Sequence, residues 1–340
     1  MSDAATLARP DPHAAPEAPP LRVMILGAAG RLGRLLSARL AREAQLGGRP
    51  VGALDLVDIE RPLAPVDSNL EVTARPLDLT ARDAVKALAA LKPDVIFHLA
   101  AAVPSEADAD FARGYRGNVI ATWALLDALR HLRHAPVFVF GSTTAVFGPP
   151  LPDQVPDAQA PVPQSSYGTQ KAMAELLIAD HGRHGYIDPI SLRLPIVAGC
   201  PSAPSAAVAR FVSDMICEPL AGRTADVPVP LDTRLWIASP EAVVADLLHA
   251  AALPADIRGR HRVLATPGLA VTPAQIVAAL REVAGTDVAE RVRSAPDAEV
   301  TRIVASWPGA MSCSAARALR FPADRGLRAL ILAQIAAQES

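Results

Sequence analysis

The sequence lacks an excess of charge of either sign. Its 33 lysines and arginines against 35 aspartates and glutamates give a formal net charge of −2 over 340 residues. Nucleic acids and anionic membrane surfaces attract clustered positive charge, so this balance gives no reason to expect either partner. Because 51% of the residues are hydrophobic, the chain has ample material for a sizeable core.

Cysteine is scarce and forms no recognisable motif. Cys200, Cys217 and Cys313 are far apart, odd in number and free of CxxC spacing. We therefore expect three reduced cysteines that act as small buried apolar residues in a cytoplasmic protein. No metal site is predicted, since His98, which lies in a predicted strand, has no Cys, Asp or Glu at ligand spacing.

Long hydrophobic runs are absent as well. No stretch approaches the ~20 uninterrupted apolar residues that cross a membrane. Residues 1–20 hold Ala, Pro and Asp without the apolar core of a signal peptide. They are predicted to form a disordered tail.

A glycine-rich loop follows the first apolar run, residues 21–26, and precedes a helical pattern. In Gly27-x-x-Gly30-x-x-Gly33, the first glycine permits a tight turn and the second lets the backbone approach a pyrophosphate. The third lets helix and strand pack closely, and the helix N-terminus favours the phosphate charge. Strand, glycine triplet and helix in this order predict a dinucleotide-binding loop.

Two aspartates compete for the adenosine ribose of that dinucleotide. Asp58 ends the next apolar run, ~25 residues past the loop, about where an acid binds the ribose hydroxyls. Asp55 lies inside the predicted strand, where an unpaired charge is costly. An acid at Asp58 repels a 2′-phosphate and favours NAD over NADP, although Arg31 could attract that phosphate. We predict NAD.

Strands and helices alternate along residues 21–198. The pattern includes a helix from Phe111 to Arg133 that carries Asn118. Alternation of this kind predicts an α/β fold with a doubly wound parallel (Rossmann) sheet. After residue 198 the pattern becomes mixed, so we expect an NAD-binding domain over 21–198. A smaller substrate-binding domain is expected over 199–340, with some segments returning to the first domain.

Tyr167 and Lys171 lie four residues apart in a predicted helix, and therefore on one face of it. An ammonium beside a phenol stabilises phenolate and lowers the pKa of the tyrosine from its ordinary value near ~10. Such a phenol can exchange a proton with a substrate hydroxyl. The pair is weak evidence alone but strong behind a dinucleotide loop.

Together these motifs resemble the extended short-chain dehydrogenase/reductase family, the NAD-dependent epimerases and dehydratases. The resemblance also includes Asp78-Leu79, His98-Leu-Ala-Ala101, Asn118 with Thr122, and Ser142-Thr143 before Val146-Phe147-Gly148. It implies that Thr143, with Ser142 as the alternative, acts beside Tyr167 and Lys171. It also implies a homodimer and a set of cofactor contacts: Gly27, Gly30, Arg31, Leu32, Gly33, Asp58, Asp78, Leu79, Leu99, Ala100, Ala101, Asn118, Tyr167, Lys171, Pro195 and Val197.

Departures from two branches of the family narrow the range of possible substrates. The family's dehydratases carry Asp-Glu where this chain has Thr144-Ala145, so their acid and base are missing. Nucleotide-sugar epimerases usually carry Asn, which contacts the diphosphate, where this chain has Ile196. Its apolar side chain cannot make an amide's hydrogen bonds. Both departures indicate a small substrate that is not a nucleotide sugar.

Longer stretches, which reach into residues 218–240, resemble the family's dehydrogenases of small sugar acids. That resemblance implies oxidation of a secondary alcohol, at C2 of an aldonate, to a 2-oxo acid. Arg234 is the candidate for the substrate carboxylate because a guanidinium meets a carboxylate in a bidentate fork. Ser105 and Ser166 are candidates for the substrate hydroxyls, although either serine can equally be a loop or helix-capping residue.

Two other functions stay open. An epimerase of the same family uses the same Tyr and Lys but returns the hydride to its substrate. A non-catalytic dinucleotide sensor is also possible, although intact Thr143, Tyr167 and Lys171 argue against it.

Overall fold

The computed structural model describes residues 19–66, 68–102, 107, 110–132, 134–200 and 208–338. Residues 1–18 of the predicted tail lie outside the described residues, and so does the candidate substrate residue Ser105.

The strands of the described residues form one large and two small sheets. In chain order they are β1 (Leu21–Leu26), β2 (Gln45–Leu46), β3 (Arg49–Asp58), β4 (Glu71–Pro76), β5 (Val95–His98), β6 (Val137–Thr143), β7 (Asp188–Leu194), β8 (Ile196–Val197), β9 (Ala225–Val227), β10 (Leu235–Ala238), β11 (Val263–Ala265), β12 (Leu269–Val271) and β13 (Val292–Ser294).

The helices of the same residues surround these sheets. They are α1 (Arg31–Glu43), α2 (Ala84–Ala90), α3 (Phe111–Tyr115), α4 (Ala121–Arg130), α5 (Ser166–Arg183), α6 (Arg210–Leu220), α7 (Pro240–Ala252), α8 (Ala255–Arg260), α9 (Pro273–Ala284), α10 (Thr286–Ala289), α11 (Ala298–Val304), α12 (Ser314–Ala318) and α13 (Leu327–Gln338). Among these described helices, none is both long enough and apolar enough to cross a membrane.

Parallel pairing dominates the large sheet. Its strands run in the order β4-β3-β1-β5-β6-β7-β11, and β2 adds a short antiparallel edge to β3. From β1 the chain moves outward through β3 and β4, and then returns to β5 on the other side of β1. This reversal is the switch point at which open α/β sheets bind ligands, beyond the carboxyl ends of the strands.

The side chains of β1 alternate between two buried layers. Val23 and Ile25 pack in one core cluster with α1 and α7, and Met24 and Leu26 pack in another with α2, α4 and α5. Each of the four side chains is 0% exposed. A strand that is covered on both faces needs a continuous apolar run, which the sequence of β1 supplies. The predicted doubly wound α/β fold is confirmed.

Residues beyond 199 divide between two places. The strand β11 extends the large sheet beside β7, and α7 packs against its face. The small sheets β12-β10-β8 and β13-β9 instead surround a separate core with α6, α9, α11 and α13. The boundary at residue 198 and the substrate-binding role of this region stay predictions.

The expectation of three reduced cysteines is wrong for two of them. Cys200, which follows β8, forms a disulfide with Cys217 of α6, and their Cα atoms are 5.3 Å apart. The sequence offered no signal because a separation of 17 positions matches no spacing motif. Only the packing of α6 against the segment after β8 brings the two thiols together. Cys313 is a buried free thiol, as expected.

The predicted continuous helix from Phe111 to Arg133 is interrupted. A π-helical turn, Arg116–Ile120, separates α3 from α4, and α4 ends at Arg130. A π turn adds a residue to the helical repeat and is frequent at functional sites. Here the turn contains Asn118, a predicted site residue.

One carboxyl group is buried without an aligned hydrogen bond. Asp246 of α7 is 0% exposed, and among the described residues neither of its oxygens has such a partner. Burial raises the pKa of Asp246 to about 8, the nearby Thr266 hydroxyl opposes the shift, and the negative charge of Asp324 adds to it. The protonated, neutral form of Asp246 is therefore the favoured one at pH 7.

Candidate active site

The glycine loop forms a tight cradle at the carboxyl end of β1. Gly27 has φ of +88°, a backbone conformation that favours glycine, and an added Cβ there comes within 2.6 Å of the Ala100 nitrogen. An added Cβ at Gly33 collides with the Gly27 carbonyl oxygen and the Ala28 backbone. Gly30 caps the N-terminus of α1 and lines the adjacent cavity. The loop has the shape that a dinucleotide pyrophosphate requires.

The two competing aspartates have different surroundings. A carboxylate oxygen of Asp58 accepts a hydrogen bond from the Ala29 nitrogen at 2.9 Å, so this residue braces the glycine loop. Asp55 is buried and paired with Arg22 at 2.7 Å and with Arg75 at 2.8 Å. Asp55 is therefore a structural ion-pair residue, and Asp58 is the acid at the end of the strand.

Arg31 reaches across the cavity instead of along the loop. Its guanidinium donates to the Gly199 carbonyl oxygen and, at 3.3 Å, to the Gln334 side-chain oxygen. Burial lowers the pKa of Arg31 below its ordinary value. Its charge is thus used to hold α1 against α13 and the segment after β8.

Tyr167 and Lys171 share one face of α5, as predicted. The Lys171 ammonium is buried, donates to the Gly141 carbonyl oxygen at 2.8 Å and lies 5.8 Å from the centre of the Tyr167 ring. Burial lowers the pKa of Lys171 to about 8, against the opposing effect of Glu175.

The expectation of a lowered tyrosine pKa is wrong for this state of the protein. Desolvation raises the pKa of Tyr167 to about 12. The Lys171 ammonium donates its hydrogen bond to the Gly141 carbonyl oxygen and not to the phenol, and burial of the phenol is the cause of the shift. Tyr167 is a neutral phenol at pH 7.

Thr143 and Ser142 point to different surroundings. Thr143 lines the cavity, and its hydroxyl oxygen accepts a hydrogen bond from the Ala145 nitrogen at 3.1 Å. That contact leaves the Thr143 proton available for a substrate oxygen. Ser142 instead donates to the buried carboxylate of Glu175 at 2.5 Å. The geometry therefore favours Thr143 over Ser142.

Glu175 ties this strand end to the helix that carries Tyr167. Besides Ser142, it binds Arg193 of β7, whose guanidinium donates to the carboxylate at 2.7 and 3.0 Å. Both side chains are largely buried, and Arg193 also lies over the Phe147 ring at 4.8 Å. A buried, fully engaged network of this kind holds β6, β7 and α5 in one arrangement.

Asn118 positions the loop after β5. Its amide oxygen accepts from the Ala102 nitrogen at 2.7 Å, and its amide nitrogen donates to Gln170 at 2.6 Å. Nearby, His98 contacts the Thr122 hydroxyl at 2.9 Å while Thr122 donates to the Asn118 carbonyl oxygen. Since the single hydroxyl proton is already used, the His98 Nε2 is the donor. Burial lowers the pKa of His98 to about 3, so it is neutral.

A cavity of about 1030 Å³ joins the glycine loop to the tyrosine. Its volume is at the upper end of the range for small-molecule and cofactor sites. The predicted residues that line it are Gly27, Gly30, Arg31, Leu32, Gly33, Leu99, Thr143, Tyr167, Pro195 and Val197.

Other predicted site residues lie elsewhere. Arg234 is exposed, abuts Gly309 and is not part of the cavity wall. Ser166 is the first residue of α5, and it is the preceding Ser165 that caps the helix and lines the cavity. Asp58, Asp78, Leu79, Ala100, Ala101, Asn118 and Lys171 are not part of the cavity wall either.

Sequence reasoning missed the wall of the cavity that faces the large sheet. This wall comes from α6 and from α11 with the turn after it, and its residues include Arg210, Ser213, Glu299, Arg302, Ile303, Ser306 and Trp307. No motif marks these residues, because a helix that borders a cavity has the same periodicity as one that borders solvent. A basic residue at the edge of an amphipathic helix, such as Arg302, could have indicated this wall, but such residues are also common on helices that border solvent.

Known proteins resemble this chain over most of its length. The sequence model described as the NAD dependent epimerase/dehydratase family matches residues 23–250. A D-erythronate dehydrogenase from Cupriavidus necator is 41% identical over 92% of this chain and 97% of its own length. A second, from Haemophilus influenzae, is 37% identical over 92% of this chain and 98% of its own.

A solved structure is similar to the same extent. A protein described as the nucleoside-diphosphate-sugar epimerase from Agrobacterium tumefaciens is 38% identical, with a TM-score of 0.91 over 97% of this chain and 98% of its own. The relatives and the family match identify an oxidoreductase that uses a nicotinamide dinucleotide. They also confirm the resemblance drawn from the motifs: the chain belongs to the NAD dependent epimerase/dehydratase family.

Proposed function

We propose that the chain oxidises a secondary alcohol of a small sugar acid, a D-erythronate-like aldonate, at C2 to give a 2-oxo acid. The observation that carries the proposal is the similarity of two D-erythronate dehydrogenases over nearly the whole of both chains. The cavity supports it, because Thr143 and Tyr167 line the same space as the glycine loop.

The chain's own residues account for the proton transfer. Tyr167 first releases its own proton to solvent and then, as phenolate, takes the proton of the substrate alcohol, while the Thr143 hydroxyl donates a hydrogen bond to the same oxygen. The nicotinamide ring supplies the hydride acceptor when it is bound. Because burial raises the pKa of Tyr167 to about 12, that pKa has to fall before the phenolate can form. Lys171, whose ammonium lies 5.8 Å from the ring centre, is the cation that we assign to lowering the tyrosine pKa.

NAD is proposed over NADP. Asp58 places a carboxylate at the end of β3 beside the glycine loop, where it repels a 2′-phosphate. Arg31 was the opposing consideration, but its guanidinium is engaged with Gly199 and Gln334.

Epimerisation is the second candidate. It is favoured by the Agrobacterium tumefaciens structure, described as a nucleoside-diphosphate-sugar epimerase, at 38% identity. Against a nucleotide sugar stands Ile196, which lines the cavity with an apolar side chain. An epimerase returns the hydride and produces no net NADH.

A substrate panel separates the two candidates. Purified protein is assayed for NADH formation with NAD or NADP and a set of four- to six-carbon aldonates, and in parallel for conversion of nucleotide sugars by NMR. We expect NADH from at least one aldonate and faster turnover with NAD. Silence on every acid, together with conversion of a nucleotide sugar, refutes the proposed dehydrogenase.

A homodimer is proposed through the helices around the tyrosine. Large apolar side chains are exposed on the π turn, α4 and α5: Ile120 is 54%, Trp123 49% and Leu176 73% exposed. Exposed apolar clusters mark protein interfaces. Sedimentation is expected to give twice the chain mass of 35.5 kDa, and Trp123→Glu is expected to give the single mass. Leu332→Glu, an exposed leucine of α13, serves as control. A monomeric wild-type protein contradicts the proposal.

A further inference from the structure

The cavity wall contains three arginines in its described part, and two of them are engaged. Arg31 donates to Gly199 and Gln334. Arg210 pairs with Asp214 through its Nε, at 3.0 Å to each carboxylate oxygen. The Arg31 guanidinium is thus engaged by two neutral oxygens, and the Arg210 charge is paired with a carboxylate of its own helix.

Arg302 differs from both. It lies on α11, is exposed and lines the cavity. Within the described residues its guanidinium has neither a hydrogen bond nor an ion pair. Glu299, three residues earlier, also lines the cavity, but no ion pair joins the two side chains in this part of the chain. The whole planar fork of Arg302 is therefore open to a ligand.

The helix that carries Arg302 is held firmly. The Asp297 nitrogen at its start donates to the Pro228 carbonyl oxygen at 2.9 Å, and the Thr301 hydroxyl donates to the same oxygen at 3.3 Å. Val304 anchors the other side of the helix in the second core, at 2% exposure. A rigid support of this kind spares much of the ordering cost of binding.

From these observations we infer that Arg302 binds the carboxylate of the substrate and so selects acids over neutral polyols. A guanidinium fork matches the two oxygens of a carboxylate. The inference rests on the proposed function, since it concerns the acid group of that substrate. It assigns to Arg302 the role that the sequence suggested for Arg234, which the structure leaves outside the cavity wall.

The main test is the kinetics of Arg302→Gln, which keeps much of the side-chain length but loses the charged fork. We expect its KM for D-erythronate to rise at least about tenfold, the effect of losing one charge-assisted contact. Its KM for NAD is expected to stay within about twofold, because the glycine loop is untouched. Arg302→Lys keeps the charge without the fork, so its KM for D-erythronate should lie between those of the wild type and Arg302→Gln.

Erythritol, the neutral four-carbon polyol, provides a second readout. If Arg302 binds the carboxylate, Arg302→Gln leaves inhibition by erythritol unchanged and weakens the binding of D-erythronate. The matched control is Arg293→Gln, an exposed arginine of β13 outside the cavity wall, which should behave as wild type.

Several results overturn the inference. They are an unchanged KM for D-erythronate in Arg302→Gln, a rise in the KM for NAD instead, or the acid effect in Arg234→Gln alone. The proposed function fails separately, if the wild-type protein oxidises no aldonate. In that case, calorimetric titration of D-erythronate into NADH-loaded wild type and NADH-loaded Arg302→Gln still tests the role of Arg302. Tighter binding to the wild type than to the variant supports the inference, and equal or absent binding overturns it.

Discussion

Tyr167→Phe is expected to lower kcat by about a hundred- to ten-thousand-fold, the usual contribution of a positioned acid–base group. The change removes one hydroxyl, and the ring that lines the cavity stays in place. Binding of NAD, measured by calorimetry, should change little because the glycine loop and Lys171 remain. The protein should also keep its fold, since replacing a neutral phenol by a phenyl ring changes no charge.

The control for this substitution is Tyr186→Phe. Tyr186 follows α5, stacks on His184 with ring centres 5.4 Å apart, and is not part of the cavity wall. It should keep full activity. If Tyr167→Phe keeps turnover near the wild-type value, another group transfers the proton, and the proposed mechanism is wrong.

Stability is expected to fall as the pH rises from about 4 to about 8, because of Asp246. In the unfolded chain this carboxyl loses its proton near its ordinary value of 3.8, whereas in the folded protein its pKa is about 8. The unfolded state therefore binds fewer protons across this interval, and the free energy of unfolding decreases with pH. Each unit of pKa difference is worth up to about 1.4 kcal/mol, so the summed effect is several kcal/mol.

Asp246→Asn should remove this dependence, because an amide does not ionise. At or below about pH 4, where the carboxyl is protonated in both states, the amide and the neutral acid should be of similar stability. At pH 8 the variant is expected to be more stable by several kcal/mol, an upper estimate from the same pKa difference. Urea unfolding at a series of pH values measures both quantities.

The surroundings of Asp246 define the control. Asp324 is the charged group that adds to the shift and Thr266 the hydroxyl that opposes it, so neither is suitable. Asp256→Asn of α8, an exposed residue paired with Arg260 at 2.6 Å, should leave the pH profile unaltered. An identical pH slope in Asp246→Asn and wild type shows that the carboxyl is already ionised in the folded protein.

The local geometry of the candidate site was predictable from short segments. The glycine triplet, the apolar run before it and the tyrosine–lysine spacing each depend on backbone geometry within a few residues. The fold class followed from the order of such segments, because parallel strands require crossover helices. The choice of Thr143 was also local, since it depended on the distance to the Val146-Phe147-Gly148 motif.

The errors share a different cause. The disulfide joins residues 17 apart, and the tyrosine pKa depends on how deeply α5 is buried. Neither property can be inferred from the spacing of residues along the sequence. The π turn likewise contains Asn118, whose side-chain amide binds Ala102 and Gln170, two residues that are distant from it along the chain.

The amino-acid sequence by itself determined the layered sheet, the glycine cradle and the residue types that can move a proton, because these follow from local backbone preference and from the period of burial. The tertiary structure alone decided which arginines face the cavity, whether each is already paired, and how far burial shifts the titration of Tyr167, Lys171 and Asp246. Charge and solvation act through space, so they depend on neighbours that are far away along the chain.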